Sequence, residues 1–141
     1  MAGQAVVREH DGEVVAVLEE AGLDNVVARY VPRRPAFQWV SATPVALPGC
    51  DGGSARKTDK LLERLFRHAG YSLDLVDRLE LRREPFLRGA EAARAYRPGG
   101  GHYLARCSFY HLRVRWKRPM RGPLALGSGR FCGLGVFLAD D

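Results

Sequence analysis

The chain has 141 residues, 46% hydrophobic and 27% charged, which suits one globular unit with a real core and excludes a disordered polyelectrolyte. Its 22 lysines and arginines outnumber 16 acidic residues, and the net charge of +6 favours a polyanionic partner. Cys50, Cys107 and Cys132 lack Cys-x-x-Cys spacing, no apolar run reaches bilayer length, and no signal layout opens the chain; the composition therefore argues for a cytoplasmic protein off the membrane, without a zinc site or a disulfide framework.

Residues 12–21 read as a short helix capped by Gly22, residues 26–31 as a β-branched strand, and Pro32-Arg-Arg-Pro35 as a linker. Residues 1–35 thus form an appendage, or the remnant of a preceding domain, and 36–141 the main unit. The main unit opens with a strand over 37–47, with Trp39, Ser41, Thr43 and Val45 on one face. A turn-rich loop over 48–54 leads to a helix over 57–69, whose apolar stripe is Leu61, Leu62, Leu65, Phe66 and Ala69. Lys57, Lys60, Arg64 and Arg67 lie off that stripe. Residues 75–83 alternate as a strand, with Leu79 and Leu81 to one side and Arg78, Glu80 and Arg82 to the other. A long connection spans 86–101. The clearest strand is 110–117, where Tyr110, Leu112, Val114 and Trp116 share one face. A short connection over 121–126 and a glycine loop precede a last strand over 131–138. The order strand, helix, strand, strand, short helix or loop, strand predicts an α+β fold, a ferredoxin-like βαββαβ sandwich with one sheet face left free.

Two features point to chemistry. The first is the loop with Gly122, Gly127, Gly129, Gly133 and Gly135, which also holds Arg130. Glycines admit close approach, and a cation among them suggests an anionic visitor. The same spacing also suits a glycine-rich bend in an ordinary sheet. The second is the outward face of the strand over 110–117, where His111, Arg113, Arg115 and Lys117 follow one another with no acid between them. Like charges this close repel unless an anion sits among them. A nucleic-acid face is favoured over a merely polar surface, with Tyr71, Tyr96, Tyr103 and Phe109 as stacking candidates. His10, His68, His102 and His111 show no metal-ligand spacing. The remaining use for a histidine is acid–base work: a base beside a cation can cleave RNA through its own 2′-hydroxyl without metal or cofactor. His111 beside Arg113 fits that description, with His68 at the end of the basic helix second.

Three segments resemble a known family: Trp39-Val-Ser-Ala-Thr-Pro-Val-Ala-Leu-Pro-Gly49 with Asp51; Arg83-Glu-Pro-Phe-Leu-Arg-Gly-Ala-Glu91 with Tyr96-Arg-Pro98; and the stretch from Tyr110 through Arg121 to Phe137. Together they resemble the C-terminal part of the fused RAMP protein of type I-U (I-G) CRISPR systems, over about residues 37–138. That resemblance implies a ferredoxin-like RAMP domain binding CRISPR repeat RNA, metal-independent processing that leaves a 2′,3′-cyclic phosphate, and other effector subunits as partners. By position, Gly127, Gly129, Arg130, Gly133 and Gly135 match the RNA-contacting loop of such proteins, and His111 a histidine on the preceding strand. Arg113, Arg115, Lys117, Lys57 and Arg82 complete the expected RNA-binding set. Where the family carries a histidine after the loop arginine, this chain has Phe131. The alternative reading is a non-catalytic interaction subunit of the same kind of complex.

Overall fold

A computed structural model describes the backbone of residues 5–8, 14–18 and 25–141, with side chains from Val27 onward. His10, Gly22, and the ends of the expected 12–21 helix lie outside the described residues. At its centre that helix is a strand: β1 (Ala5–Arg8) and β2 (Val14–Leu18) pair antiparallel. Val14, Val15 and Val17 are β-branched and fit a pleated strand better than a helix. The expected strand over 26–31 is in turn a helix, α1 (Asn25–Tyr30), ended before Pro32.

The rest is an α+β unit built on five antiparallel strands. β3 (Ala36–Ser41) and β4 (Val45–Ala46) are the two halves of the strand expected over 37–47, separated by a bend at Pro44, which has no N–H to give a ladder. Helix α2 (Ala55–His68) follows, then β5 (Val76–Arg82), β6 (Phe109–Met120) and β7 (Phe137–Ala139). β6 is the hub. It pairs with β3, β4 and β5, while β7 pairs with the other side of β3, giving the order β5-β6-β3-β7. β7 is shorter than the expected 131–138 strand. Residues Arg130–Cys132 form a 3-10 turn instead, and Gly133 and Gly135 take positive φ, which a pleated strand excludes.

The α2 stripe Leu62, Leu65 and Phe66 packs on Trp39, Leu112, Val114 and Trp116, with Phe66 edge-on to the Trp116 ring at 5.7 Å. A smaller core of Ala46, Ala93, Leu104 and Phe109 gathers under the connection between β5 and β6. Phe109, expected to stack on bases, is therefore buried.

Asp51 ties these parts together. It is 1% exposed and accepts hydrogen bonds from Tyr110 Oη (2.6 Å), Thr58 Oγ1 (2.7 Å), Ser108 Oγ (3.0 Å) and the Gly53 N–H (3.0 Å). Burial opposes its charge, but the four donors outweigh burial and hold the carboxyl far below the usual carboxylate range. One carboxylate thereby joins the first turn of α2, the loop before it and the start of β6. Among the described residues no helix is long and apolar enough to cross a membrane.

Candidate nucleic-acid interface

Alternation along β6 puts His111, Arg113, Arg115 and Lys117 on the sheet face away from α2, as the sequence suggests. Cross-strand neighbours change what that face is. Arg82 lies opposite His111 and Glu80 opposite Arg113 in the β5–β6 register. Arg113 Nη2 donates to Glu80 at 2.6 Å, and this bond outweighs burial to hold the Glu80 carboxyl below its ordinary range. Asp77 sits 3.8 Å from Arg115, and Glu80 also meets Arg78 at 2.9 Å. Five cations (Arg78, Arg82, Arg113, Arg115 and Lys117) therefore share the face with two carboxylates, and a positive remainder is left. Aromatic rings interleave with it: the Arg82 and Arg113 guanidinium groups lie over Phe86 at 3.9 and 4.8 Å, and Arg115 over Phe37 at 5.4 Å. The sequence places Glu80 on an outward face but not the register that sets it opposite Arg113, nor the approach of Asp77 to Arg115. Cross-strand register is not visible from one strand alone.

His111 departs furthest from expectation. It is fully buried, covered by the connection after β5. Its Nε2–H donates to the Glu91 carbonyl at 2.8 Å, Nδ1 lies 3.0 Å from Ser41 Oγ, and that oxygen accepts the Leu112 N–H at 3.0 Å. Nδ1 also lies 3.3 Å from the Ser41 carbonyl, so both ring nitrogens are engaged by groups of the protein itself. No ring nitrogen is left for a substrate hydroxyl. His68, the second candidate, is exposed at the end of α2, on the helix side of the sheet and away from the basic face. Lys57, in the first turn of α2, is likewise on the helix side and does not join the basic face. We expect His111→Ala to lower the urea midpoint by an amount equal to about 2–4 kcal/mol, since it leaves a cavity and two unpaired polar partners. A midpoint within error of wild type would show that the ring is not a structural pin.

The glycine loop is held from inside. Gly127 has φ +103, its missing side chain faces the Ala46 carbonyl at 2.7 Å, and the Ser128 N–H donates to that carbonyl. Thr43 Oγ1 donates to the Gly133 carbonyl and accepts the Val136 N–H, pinning the loop from the β3–β4 bend. Gly127, Gly129 and Gly135 are buried, so these glycines serve packing, and the loop presents its side chains outward from the 3-10 turn.

Those side chains make the most exposed aromatic cluster of the described residues. Phe131 is 85% exposed with the Arg130 guanidinium 4.6 Å over its ring, and Arg130 also donates to the Gly127 carbonyl. Beside it Tyr103, 62% exposed, stacks on His102 at 4.6 Å and meets Cys132 Sγ through its hydroxyl at 3.1 Å. The Cys132 contact pushes the Tyr103 phenol up. Tyr96, Arg97 and His102 line an open groove of ≈ 480 Å³ against Cys132 and Leu134. A larger hollow of ≈ 620 Å³ at the end of α2 includes Glu63 and Asp74, and its Tyr71 ring is turned onto Trp116 at 5.1 Å. It offers an anion less than the first groove does. Of the stacking candidates, Tyr103 is exposed with His102 against its ring and Tyr96 lines the groove, whereas Tyr71 packs inward. Phe131, Arg97 and His102 were not singled out as stacking or groove residues. An aromatic inside a Gly-Arg-Phe-Cys-Gly turn, with no apolar periodicity around it, was the signal available.

Among the described residues no three His, Cys, Asp or Glu side chains converge to hold a metal ion. No family model, no curated protein and no solved structure matches the chain.

Proposed function

We propose that the chain is an RNA-binding domain of ferredoxin-like RAMP type that holds repeat-derived CRISPR RNA alongside other effector subunits. The observation that carries this reading is the solvent-facing Phe131–Arg130 pair beside Tyr103 and His102. Exposed rings capped by cations are what an unpaired base stacks on, and every base has a π-face to offer. Support comes also from the strand order β5-β6-β3-β7 with α2 crossing from β3 to β5, which is the ferredoxin-like order. The crossover from β6 to β7 differs from that pattern in being a loop with a single 3-10 turn rather than a helix. The positive remainder on the β5–β6 face suits the phosphates of the same strand, and the net charge of +6 agrees. The proposal is one of holding RNA, not cutting it: His111 is sealed in its own hydrogen bonds.

Fluorescence anisotropy with single-stranded, repeat-derived RNA tests this. Phe131→Ala should weaken binding about tenfold or more, the loss of one stacked base, while the melting temperature stays put because the ring buries little. Arg130→Gln should weaken binding and flatten the dependence on salt. Wild-type affinity in both variants would remove the loop from the interface. The free edge of β5, where Val76, Leu79 and Leu81 are only half-buried, favours a second reading as a protein-docking subunit. In that case RNA affinity is weak, and association with partner subunits resists salt.

A further inference from the structure

We propose that Cys50 and Cys107 form a redox-responsive thiol pair, which closes to an intramolecular disulfide when the protein meets a small-molecule disulfide. The two lie 57 positions apart in sequence, and backbone bonds bring their neighbours Gly49 and Ser108 together. The regular ladder between β4 and β6 ends at Ala46↔Phe109, and beyond it Ser108 is held twice across a bulge at Pro48: the Leu47 N–H donates to the Ser108 carbonyl at 2.9 Å, and the Ser108 N–H to the Gly49 carbonyl at 3.0 Å. The residue after Gly49 is Cys50, and the residue before Ser108 is Cys107. Cys50 and Cys107 are thus the next couple out from the Gly49–Ser108 bond, and facing couples of antiparallel chains have Cα atoms about 4.5–5.5 Å apart. Disulfides span Cα separations of about 4.4–6.8 Å. The next residue continues the approach, since the Asp51 N–H donates to Ser108 Oγ at 3.1 Å.

Both sulfurs are free thiols, and they differ in access. Cys50 is exposed, and Cys107 is half-buried against Leu104 and Phe109. Burial pushes the Cys107 thiol up, and the nearby Cys50 adds to the rise. That asymmetry assigns the steps. The exposed Cys50 thiolate attacks one sulfur of the small disulfide and releases the first small thiolate. Cys107, losing its proton to solvent, then attacks the Cys50 sulfur and releases the second. Two protein thiols and one small disulfide thus become one protein disulfide and two small thiols. In a reducing compartment such a bond is transient, and its state follows the thiol pool. Cys132 is outside the pair: its sulfur meets the Tyr103 hydroxyl at 3.1 Å.

The test uses the full chain, folded, with oxidised glutathione as the disulfide. We expect two of three thiols to vanish, a Cys50–Cys107 peptide link on mass mapping, a higher melting temperature, and reversal by dithiothreitol. In Cys50→Ser, which changes an exposed side chain, Cys107 should stay a free thiol under the same challenge. Glutathione adducts on Cys50 without the 50–107 link, or a link from Cys107 to Cys132, would overturn the proposal.

Discussion

Asp51→Ala should unfold about 4 kcal/mol more easily than the wild-type chain, and Asp51→Asn about 2 kcal/mol more easily. Each hydrogen bond to a buried charged group contributes on the order of 1.5–3 kcal/mol, and such bonds on one centre are not additive. Alanine leaves the hydroxyls of Tyr110, Thr58 and Ser108 and the Gly53 N–H facing a void, and the cost is mainly their desolvation. Asparagine is milder. Its carbonyl can keep the Gly53 and Ser108 bonds, and its amide can donate to the two other hydroxyls. Thr58 tolerates that because its hydroxyl can turn its proton from residue 51 to the Ser54 carbonyl, 2.9 Å away. What asparagine loses is the charge. The pH dependence follows from the direction of the shift. The folded carboxyl titrates far below the unfolded one, so its stabilisation is complete above the unfolded pKa and drains away as pH falls below it. The gap between wild type and Asp51→Asn should therefore be constant from pH 6 to 8 and narrow by about 1 kcal/mol at pH 3. Urea midpoints at the two pH values decide it. An equal gap at both would mean that the carboxylate is not the stabilising species.

The second large effect is at Gly135. A methyl group there would sit 1.9 Å from the Leu126 carbonyl oxygen, at φ +66, where an L side chain is already strained. The backbone has no easy escape. Leu126 N–H donates to the Gly135 carbonyl at 2.9 Å, and the Gly135 N–H to the Pro44 carbonyl at 2.8 Å, so a shift breaks the bonds that join the glycine loop to the β3–β4 bend. Strain and lost bonds together should cost about 3–5 kcal/mol, a large part of what a domain of this size has. Gly133→Ala is the control: its φ is also positive, but nothing stands within 4 Å of the added carbon, and the loss should stay near 1 kcal/mol. Equal melting temperatures for the two variants would mean that the loop is not packed this way.

Periodicity made much of the architecture legible. The 3.6-residue stripe of α2 and the two-residue alternation of β5 and β6 placed those elements within a few residues, because each buries one face against the same core. What failed was local propensity against context. Val26 and Val27 look like a strand and sit in α1. Residues 131–138 look apolar and extended, yet the glycines turn them into a 3-10 loop before β7 begins. The candidate interface was half visible. Arg130 and the glycines stood out by type, and Tyr103 as an aromatic, but their meeting depends on a connection folding back across residues 83–107, which no spacing encodes. The burial of His111 was hidden for the same reason, since its cover, the carbonyl of Glu91, is backbone and carries no side-chain signature.

β6 has a consequence for how the chain comes into being. β3 meets its first partner, β6, only after roughly seventy further residues have been made, and its second, β7, after nearly a hundred. At synthesis rates of about 5–20 residues per second, Trp39 and Val40 wait unpaired for something between 3 and 14 s. Through that interval α2 has no finished sheet to lie on, and the strand with the chain's most deeply buried indole is open to any passing apolar surface. Newborn copies should thus be the ones that chaperones hold, and a pause in translation before codon 109 should lower the soluble yield while leaving the finished protein as stable as before.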